Sequence, residues 1–461
     1  MKFWNREIGR SGGFGFSPTK SPALPISLSK SNCIAALTVA AMCFASSEAR
    51  AAGAVDGVAA DASKGLGAVP ATAIVVAAPI VSDQAAPKGD ELALRVAALV
   101  AGKLGATTKA HPQTANLAIA RAIAGKAGGL VYVQVEIAKG ELRAVLDLYP
   151  VQRNSWDRIR NPLPAPTAHA FAGTKIDAEV RAFLSPILLE QASVHKAKHE
   201  EGEVLAAACG DVDGDGGNEI ALVSRARVVL GRVRAGKIAA AQMATWPSLA
   251  SRAAAPLREP IGTAAIFGGR VFAGTTDRGG VSIAPDFASH VKLAGLPFAI
   301  AGGVGCVGTD AGASALEGPA IDCLASDDRA TVLTAPTPRF DAIAAASIVA
   351  RDGTAKPIVI SRETSGRLRL KLGDTLTRAI DGAGAQVAVG DLDQDGIAEI
   401  VTTSDGADDF IAVSSWGGGE PKARLKMAAP GGVRALAVCP PEERGAPALV
   451  AVVGAEVWIV R

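Results

Sequence analysis

The chain has 461 residues, and its 47 basic and 45 acidic residues leave a formal net charge of +2. This length is sufficient for more than one buried core. The balanced charge excludes an overall basic surface of the kind that binds nucleic acid or an anionic membrane. Aromatic residues make up only 4% of the sequence, so each of the five tryptophans is expected to be a packing residue.

Residues 1–51 have the pattern of a signal peptide. Five basic residues precede an apolar run from Cys33 to Ala45, and Ala49-Arg50-Ala51 then offers a small-x-small cleavage site. The run is too short to span a bilayer, and no later segment is long and apolar enough to do so. We therefore expect an exported protein that is periplasmic, secreted or on the cell surface and has no transmembrane segment after signal removal. Lipidation at Cys43 and a retained N-terminal anchor are the alternatives.

The next region predicts a linker over residues 52–69 and a small α/β domain over residues 70–192. A continuous apolar run predicts a buried strand, and helical spacing of apolar residues predicts two helices. Alternation around Lys139-Gly140 predicts a hairpin, and a final helix is expected after a Pro-rich loop. Within that loop, Trp156 is either a packing residue or part of a recognition patch. The predicted elements are a strand at 71–81, helices at 90–104 and 114–126, hairpin strands at 130–137 and 141–149, and a helix at 176–191.

Residues 203–461 predict an all-β region, because short apolar runs alternate with Gly, Asp and Pro. Similar units recur about every 45 residues, a spacing that falls in the range of β-propeller blades. Each unit begins with a strand of small residues, as expected where innermost strands crowd around a central channel. The fold class is therefore α+β multidomain, with a propeller of six or possibly seven blades. The units begin near Val204, Ile261, Phe298, Ile343, Gln386 and Val433.

Two segments carry the same acidic pattern, Asp-x-Asp-x-Asp-Gly-x-x-Glu, at residues 211–219 and 391–399. Carboxylates at positions one, three and five of such a loop can surround one hard cation, and a glycine at position six permits a sharp turn. The position-seven carbonyl and the position-nine carboxylate supply further oxygens. Calcium is preferred over magnesium, because a flexible loop with many oxygen ligands suits the larger ion. The predicted ligands are Asp211, Asp213, Asp215, Gly217 and Glu219, and Asp391, Asp393, Asp395, Ile397 and Glu399.

These loops and their flanking strands resemble the calcium loops of FG-GAP and VCBS-type propeller repeats, the family that includes integrin α-chain propellers. The resemblance implies that each loop joins the first two strands of a blade. It departs from the family at position nine, where Asp is commoner than Glu219 and Glu399. The other units have no carboxylate series, so two calcium sites are expected. An exported α/β domain followed by a propeller also resembles TolB-like proteins, although only in architecture.

Four cysteines follow the signal segment, namely Cys209, Cys306, Cys323 and Cys439. In an oxidising compartment an even number suggests disulfides, and three connectivities are open. If the repeat interpretation holds, Cys306 and Cys323 lie on neighbouring strands, which favours that pair. The alternative is that all four are small buried hydrophobic residues.

The sequence contains no recognisable catalytic motif, so a non-catalytic role is the leading hypothesis. We expect an envelope or secreted scaffold that binds an unknown protein or glycan and no nucleic acid. Two alternatives stay open at this point. One is a hydrolase or lyase whose active site lies in the propeller funnel. The other is a structural component of a Tol-like envelope complex.

Overall fold

The computed structural model describes residues 53–461 except for 153, 250–258, 301, 311–314, 324–330, 375, 405–407 and 443–445. The predicted signal segment therefore lies outside the described residues. None of the helices in the described part is long and apolar enough to cross a membrane. Most of the ordered backbone is strand, arranged in propeller-like sheets that follow a region of mixed helix and strand.

The N-terminal region contains a mixed sheet in the order β3-β1-β4-β5-β6, with β2 pairing to β4. The predicted hairpin is present, and its turn residues Lys139 and Gly140 have positive φ angles of 55° and 73°. The helices are α1 (Ala54–Leu66), α2 (Gly89–Leu104), α3 (Leu117–Ile123), α4 (Ser155–Arg160) and α5 (Ala178–Arg181), with a 3-10 turn at Leu189–Gln191. The strands are β1 (Ile74–Ala77), β2 (Val81–Ser82), β3 (Lys109–Ala110), β4 (Leu130–Ala138), β5 (Glu141–Tyr149) and β6 (Ala168–Lys175).

This region differs from the sequence-based expectation in several places. The segment predicted as a linker forms α1, whose buried Val55 and Val58 pack in the same core as α2. Strand β6 was not predicted, although it pairs with β5 along eight residues. The helix expected at residues 176–191 is broken after α5, because Pro186 lacks the amide that a continuing helix needs. The chain there is extended instead, and the Ser185 amide donates to the Ala85 carbonyl at 2.9 Å.

From residue 194 onward, the described chain forms antiparallel sheets of four or five strands and one eight-stranded sheet. The eight-stranded sheet contains β7 (Val194–Lys198), β8 (Val204–Gly210), β9 (Glu219–Ser224), β10 (Arg227–Arg234) and β11 (Lys237–Thr245), followed in the chain by a short helix α6 (Trp246–Leu249). The next sheet contains β12 (Gly262–Phe267), β13 (Arg270–Thr275), β14 (Gly279–Ile283) and β15 (His290–Lys292). The sheet after it contains β16 (Leu296–Ile300), β17 (Gly303–Asp310), β18 (Ala315–Asp322), β19 (Thr331–Leu333) and β20 (Arg339–Phe340).

The remaining strands complete the arrangement. One further four-stranded sheet contains β21 (Ala342–Val349), β22 (Ala355–Arg362), β23 (Leu368–Leu372) and β24 (Leu376–Ile380). Another contains β25 (Val387–Gly390), β26 (Ala398–Thr403), β27 (Phe410–Trp416) and β28 (Lys422–Ala428). The last three strands are β29 (Val433–Cys439), β30 (Ala448–Val453) and β31 (Glu456–Val460), and they belong to the eight-stranded sheet. Strand β7 connects strands β8–β11 to strands β29–β31 in that sheet, because it pairs with β31 and, at one position, with β11.

Strands β8, β12, β16, β21, β25 and β29 contact one another in cyclic order, so these first strands of the sheets form a closed ring. Each begins within two residues of a repeat start expected from the sequence. The ring is crowded, which explains its small residues. A Cβ on Gly262 would lie 2.5 Å from the Cβ of Leu205, and one on Gly390 would lie 2.7 Å from Val438. A cavity of about 800 Å³ lies against the ring.

Candidate metal loops

The two acidic loops occupy equivalent places in their sheets. The first acidic loop, residues 211–219, joins β8 to β9, and the second acidic loop, residues 391–399, joins β25 to β26. In both, position nine pairs with the glycine that precedes position one, Gly210 with Glu219 and Gly390 with Glu399. Each loop is therefore a hairpin connection that begins and ends at one pair of neighbouring residues.

Backbone conformation is also shared between the loops. Positions four and six have positive φ angles in both, 78° at Gly214 and 83° at Gly216, and 57° at Gln394 and 84° at Gly396. Glycine adopts this left-handed conformation without steric cost, which explains why position six is Gly in each loop. At position four the second loop uses Gln394, a residue type that rarely adopts positive φ.

Carboxylates inside each loop accept hydrogen bonds from the loop's own amides. Asp211 accepts from Gly214 at 2.7 Å and from Gly216 at 3.0 Å, and Asp391 accepts from the position-five and position-six amides at 3.0 Å each. The position-nine glutamate accepts from the position-two amide at 2.7 Å in both loops. These bonds fold the chain around the carboxylates, so a local network holds positions one and nine near the loop centre.

Three of the predicted side-chain ligands converge in each loop. One carboxylate oxygen each from Asp211, Asp213 and Glu219 lies within 4.8 Å of the other two, and the same is true of Asp391, Asp393 and Glu399. The position-five aspartates lie outside these two groups. Each of them accepts a hydrogen bond from the position-seven amide, at 2.9 Å in the first loop and 2.8 Å in the second.

In the first loop, the guanidinium group of Arg232 on β10 provides the positive charge. It contacts Asp213 at 3.0 Å and Asp215 at 2.5 Å, and it also pairs with the buried carboxylate of Glu219. Its Nη2 donates to the Gly217 carbonyl at 3.3 Å, which is the predicted position-seven ligand. Hydrogen bonding to Arg232 lowers the pKa of Asp215 to about 2. A single side chain of the same sheet thus contacts three of the four carboxylates of the loop and offsets one of their negative charges.

The second loop is more deeply buried and less completely neutralised. Burial, together with the neighbouring carboxylates, raises the pKa of Asp391 to about 7 and that of Glu399 to about 8. Arg424 reaches only the edge of the cluster, where its Nη1 lies 3.0 Å from Asp393 and its Nε lies 2.5 Å from Glu190. The cluster therefore holds more carboxylates than the adjacent cation can balance.

Helix α5 and its flanking residues cover one side of the second loop. Arg181 on α5 donates to Gln394, and its other nitrogen donates to Gln84 at 3.2 Å. Desolvation lowers the pKa of Arg181, while the charges of Asp391 and Asp393 act in the opposite direction. A cleft of about 380 Å³ lies between this region and the loop. The second acidic loop is thus part of the contact between the N-terminal region and the sheets, whereas the first is not flanked by α5.

The structure pairs the cysteines as Cys306 with Cys323 and as Cys209 with Cys439. The first pair is the one favoured by the sequence, since it joins β17 to the residue following β18. The second connects residues 230 apart in the sequence and was not singled out. It links β8, two residues before Asp211, to β29, so it fixes the stem of the first acidic loop to the neighbouring part of the ring.

Two of the three carboxylates that line the cavity at the ring have cationic neighbours. Glu203 lies 3.4 Å from Arg225, and Asp341 pairs with Arg362. Both acids line the cavity together with apolar residues of the first strands such as Phe298 and Leu436. These pairings neutralise two of the carboxylates that a catalytic site in the funnel would use.

Sequence reasoning identified the acidic residues but missed the basic residues that contact them. Arg232 follows Glu219 by 13 positions and Arg424 follows Glu399 by 25, so no common spacing marks the two. Arg181 lies in the N-terminal region, more than 200 positions from the loop that it contacts. No signal in the sequence alone indicated these partners.

Comparison with protein-family models and with curated proteins gives no match. Among solved structures, AofleA from Arthrobotrys oligospora is 10% identical, with a TM-score of 0.38 over 59% of this chain and 86% of that chain. The WD40 repeats of RRP9 are 11% identical, with a TM-score of 0.32 over 70% and 88%. BamB from Moraxella catarrhalis is 14% identical, with a TM-score of 0.29 over 55% and 84%. These values are too low to indicate a shared function.

Proposed function

We propose that the chain is an exported calcium-binding β-propeller of six blades that serves as a protein- or glycan-binding scaffold of the cell envelope. The observation that carries the proposal is the convergence of three carboxylates in each of two equivalent loops. The FG-GAP and VCBS-type resemblance of the loops adds to it. The metal sites are the part that the geometry supports best.

The spacing of the carboxylates fits a calcium ion. Calcium–oxygen distances are about 2.3–2.6 Å, so two oxygens bound to one ion lie at most about 5 Å apart. In each loop the position-one, position-three and position-nine oxygens lie within 4.8 Å of one another, which satisfies this condition. All the donors are hard oxygens, which calcium prefers, and a small rearrangement of the position-five aspartate would add a fourth carboxylate.

The second acidic loop fits a cation best. Its buried Asp391 and Glu399 have raised pKa values because like charges lie close together in a poorly solvated place. A bound divalent ion would supply the missing positive charge and favour the ionised carboxylates. In the first loop, a metal would have to displace Arg232 from Glu219. We therefore assign the tighter site to Asp391, Asp393 and Glu399.

Six blades follow from dividing the eight-stranded sheet at β7. Strand β7 pairs with β31 along five residues and with β11 at one position, so it is assigned as the outer strand of the last blade. This arrangement joins the first strand after the N-terminal region to the last strand of the chain. Export is supported by two disulfides, which persist in oxidising compartments. The cavity of about 800 Å³ at the ring is the proposed place for a ligand.

Thermal unfolding with calcium and with chelator tests the metal sites. A bound ion should raise the melting temperature, because at free calcium one hundredfold above its Kd each site adds about 2.7 kcal/mol. Asp213→Ala and Asp393→Ala together should abolish most of the shift. Asp352→Asn is the matched control, since Asp352 lies in the loop between β21 and β22 that lacks the carboxylate series. If neither calcium nor chelator changes the melting temperature of the wild type, the assignment of the two loops as metal sites is wrong.

A further inference from the structure

The loop between β5 and β6 exposes three large apolar side chains. Trp156 is 71% exposed, Ile159 71% and Leu163 76%. Trp156 was expected to be either a packing residue or part of a recognition patch, and the structure places it at the surface. It is unlike the other tryptophans of the described chain, because Trp246, Trp416 and Trp458 are at most 6% exposed.

The loop holds these side chains in a defined shape. Its ends are fixed where the Thr167 amide donates to the Leu148 carbonyl at 2.7 Å and where Gln152 donates to the Asn161 carbonyl. Arg121 on α3 donates to the Pro164 carbonyl at 2.8 Å. Between these hydrogen bonds, Trp156 and Ile159 lie three residues apart on α4 and therefore on one face of that helix.

The sequence of the same loop is rich in arginine. Residues 150–166 contain Arg153, Arg158 and Arg160 and a single acidic residue, Asp157. Arg160 is exposed. The chain as a whole is nearly neutral, so this segment is a local basic and aromatic concentration rather than part of a general basic surface.

We propose that the loop at residues 150–166 docks on an anionic phospholipid surface, with Trp156, Ile159 and Leu163 entering the headgroup region and Arg160 facing lipid phosphates. Aromatic and aliphatic side chains beside Arg are the composition that binds membrane interfaces. Each basic residue near an anionic leaflet adds attraction. This role is independent of the proposed calcium sites.

The size of the patch favours a membrane over a protein partner. Three side chains expose an apolar area of the order of a few hundred Å². A stable protein interface needs about 800 Å² from each partner. A membrane requires no complementary surface, so a few inserted side chains with adjacent positive charge suffice for reversible binding.

Vesicle binding by the full chain tests the proposal. Vesicles of phosphatidylcholine and phosphatidylglycerol in equal amounts are compared with phosphatidylcholine alone, in chelator so that calcium does not contribute. The wild type should sediment with the anionic vesicles, and its tryptophan emission should move to shorter wavelength as Trp156 leaves water. Trp156→Ala with Ile159→Ala and Leu163→Ala should lower the partition coefficient at least tenfold, and Trp156→Phe alone should remove the spectral shift.

Charge and folding controls complete the experiment. Arg158→Gln with Arg160→Gln should weaken binding to the anionic vesicles several-fold and reduce its salt dependence. Val291→Ser, which changes an exposed apolar residue on β15, should bind as the wild type does. The apolar variants should keep the wild-type melting temperature, because Trp156, Ile159, Leu163 and Val291 are exposed.

Three results would overturn the docking proposal. The first is equal binding by the wild type and the triple-alanine variant, which would place any membrane contact elsewhere, including the N-terminal apolar run that all variants share. The second is equal binding to anionic and neutral vesicles. The third is no vesicle binding combined with self-association that the triple variant abolishes, which would make the patch a protein interface.

Discussion

The first and second acidic loops have nearly the same sequence pattern and backbone, yet they differ in how their negative charge is balanced. Arg232 enters the first loop and contacts three of its carboxylates. Arg424 contacts only Asp393 in the second, where burial raises the pKa of Asp391 and Glu399. The same motif can therefore be spanned by an arginine or have raised pKa values at its buried carboxylates. The difference depends on where the nearest arginine lies and on how deeply each loop is buried.

The loops also differ in what holds them to the rest of the molecule. The first is fixed through its stem, where Cys209 is bonded to Cys439 on β29. The second lies against α5, which contributes Arg181. A covalent bond anchors one loop, whereas the other relies on side-chain contacts with the N-terminal region. The predictions below test this contrast in order of expected effect.

Removing the Cys209–Cys439 disulfide should have the largest effect on stability. The bond closes a segment of 230 residues, and the chain-entropy model assigns it about 5 kcal/mol, against about 3 kcal/mol for the 17-residue segment closed by Cys306–Cys323. Cys209→Ser with Cys439→Ser should therefore lower the midpoint of chemical unfolding more than the matched double variant of the shorter bridge. An equal loss in both would contradict the assigned anchoring role.

Stability of the calcium-free protein should fall as pH rises from about 4 to about 8. In this window the folded state holds protons on Asp391 and Glu399, whose pKa values are about 7 and about 8, whereas the unfolded chain has released them. A shift of this size corresponds to about 4 kcal/mol for each of the two groups. Unfolding in chelator at pH 5, 6.5 and 8 measures it.

The matched variant for this pH test is Asp391→Asn with Glu399→Gln, which should flatten the profile. Saturating calcium should also flatten it in the wild type, because the ion stabilises the ionised carboxylates. A profile that rises over the same window, or that is unchanged in the double variant, would show that other groups govern the pH dependence.

The second loop should account for more of the calcium response than the first. Asp393→Ala is expected to remove a contribution of about 2.7 kcal/mol at free calcium one hundredfold above Kd, and Asp213→Ala should remove less. Calorimetric titration should accordingly resolve a tighter site that is lost only in Asp393→Ala. A larger loss in Asp213→Ala would reverse the assignment of the two loops.

Replacing Arg232 should make the first loop behave more like the second. Arg232→Gln leaves the buried Glu219 without its cation and should cost about 1–3 kcal/mol in the absence of calcium. With the competing guanidinium removed, calcium should then stabilise the variant more than the wild type. Arg232→Lys should give an intermediate response, and an unchanged calcium response in Arg232→Gln would show that the arginine does not occupy the metal position.

The sequence by itself determined the local features of this protein. Glycines at position six and the alternating aspartates encode the turn, since their φ angles and short-range hydrogen bonds depend on residues a few positions apart. The starts of the ring strands and the hairpin around Lys139 could be predicted because they also depend on residues a few positions apart. Helix α1 was missed because its Ala- and Gly-rich composition resembles a linker, although Val55, Val58 and Ala62 recur at helical spacing. Strand β6 was missed because alanine and glycine give its alternation little hydrophobic contrast, and it forms by pairing with β5.

Only the tertiary structure decided which charges meet. Arg232, Arg424 and Arg181 reach the acidic loops because strand pairing and the docking of α5 bring distant parts of the chain together. The burial that separates the second loop from the first, and the exposure of Trp156, likewise depend on neighbours that no local pattern specifies. Desolvation and Coulomb interactions act through space, so the electrostatic difference between two nearly identical motifs arises from their surroundings.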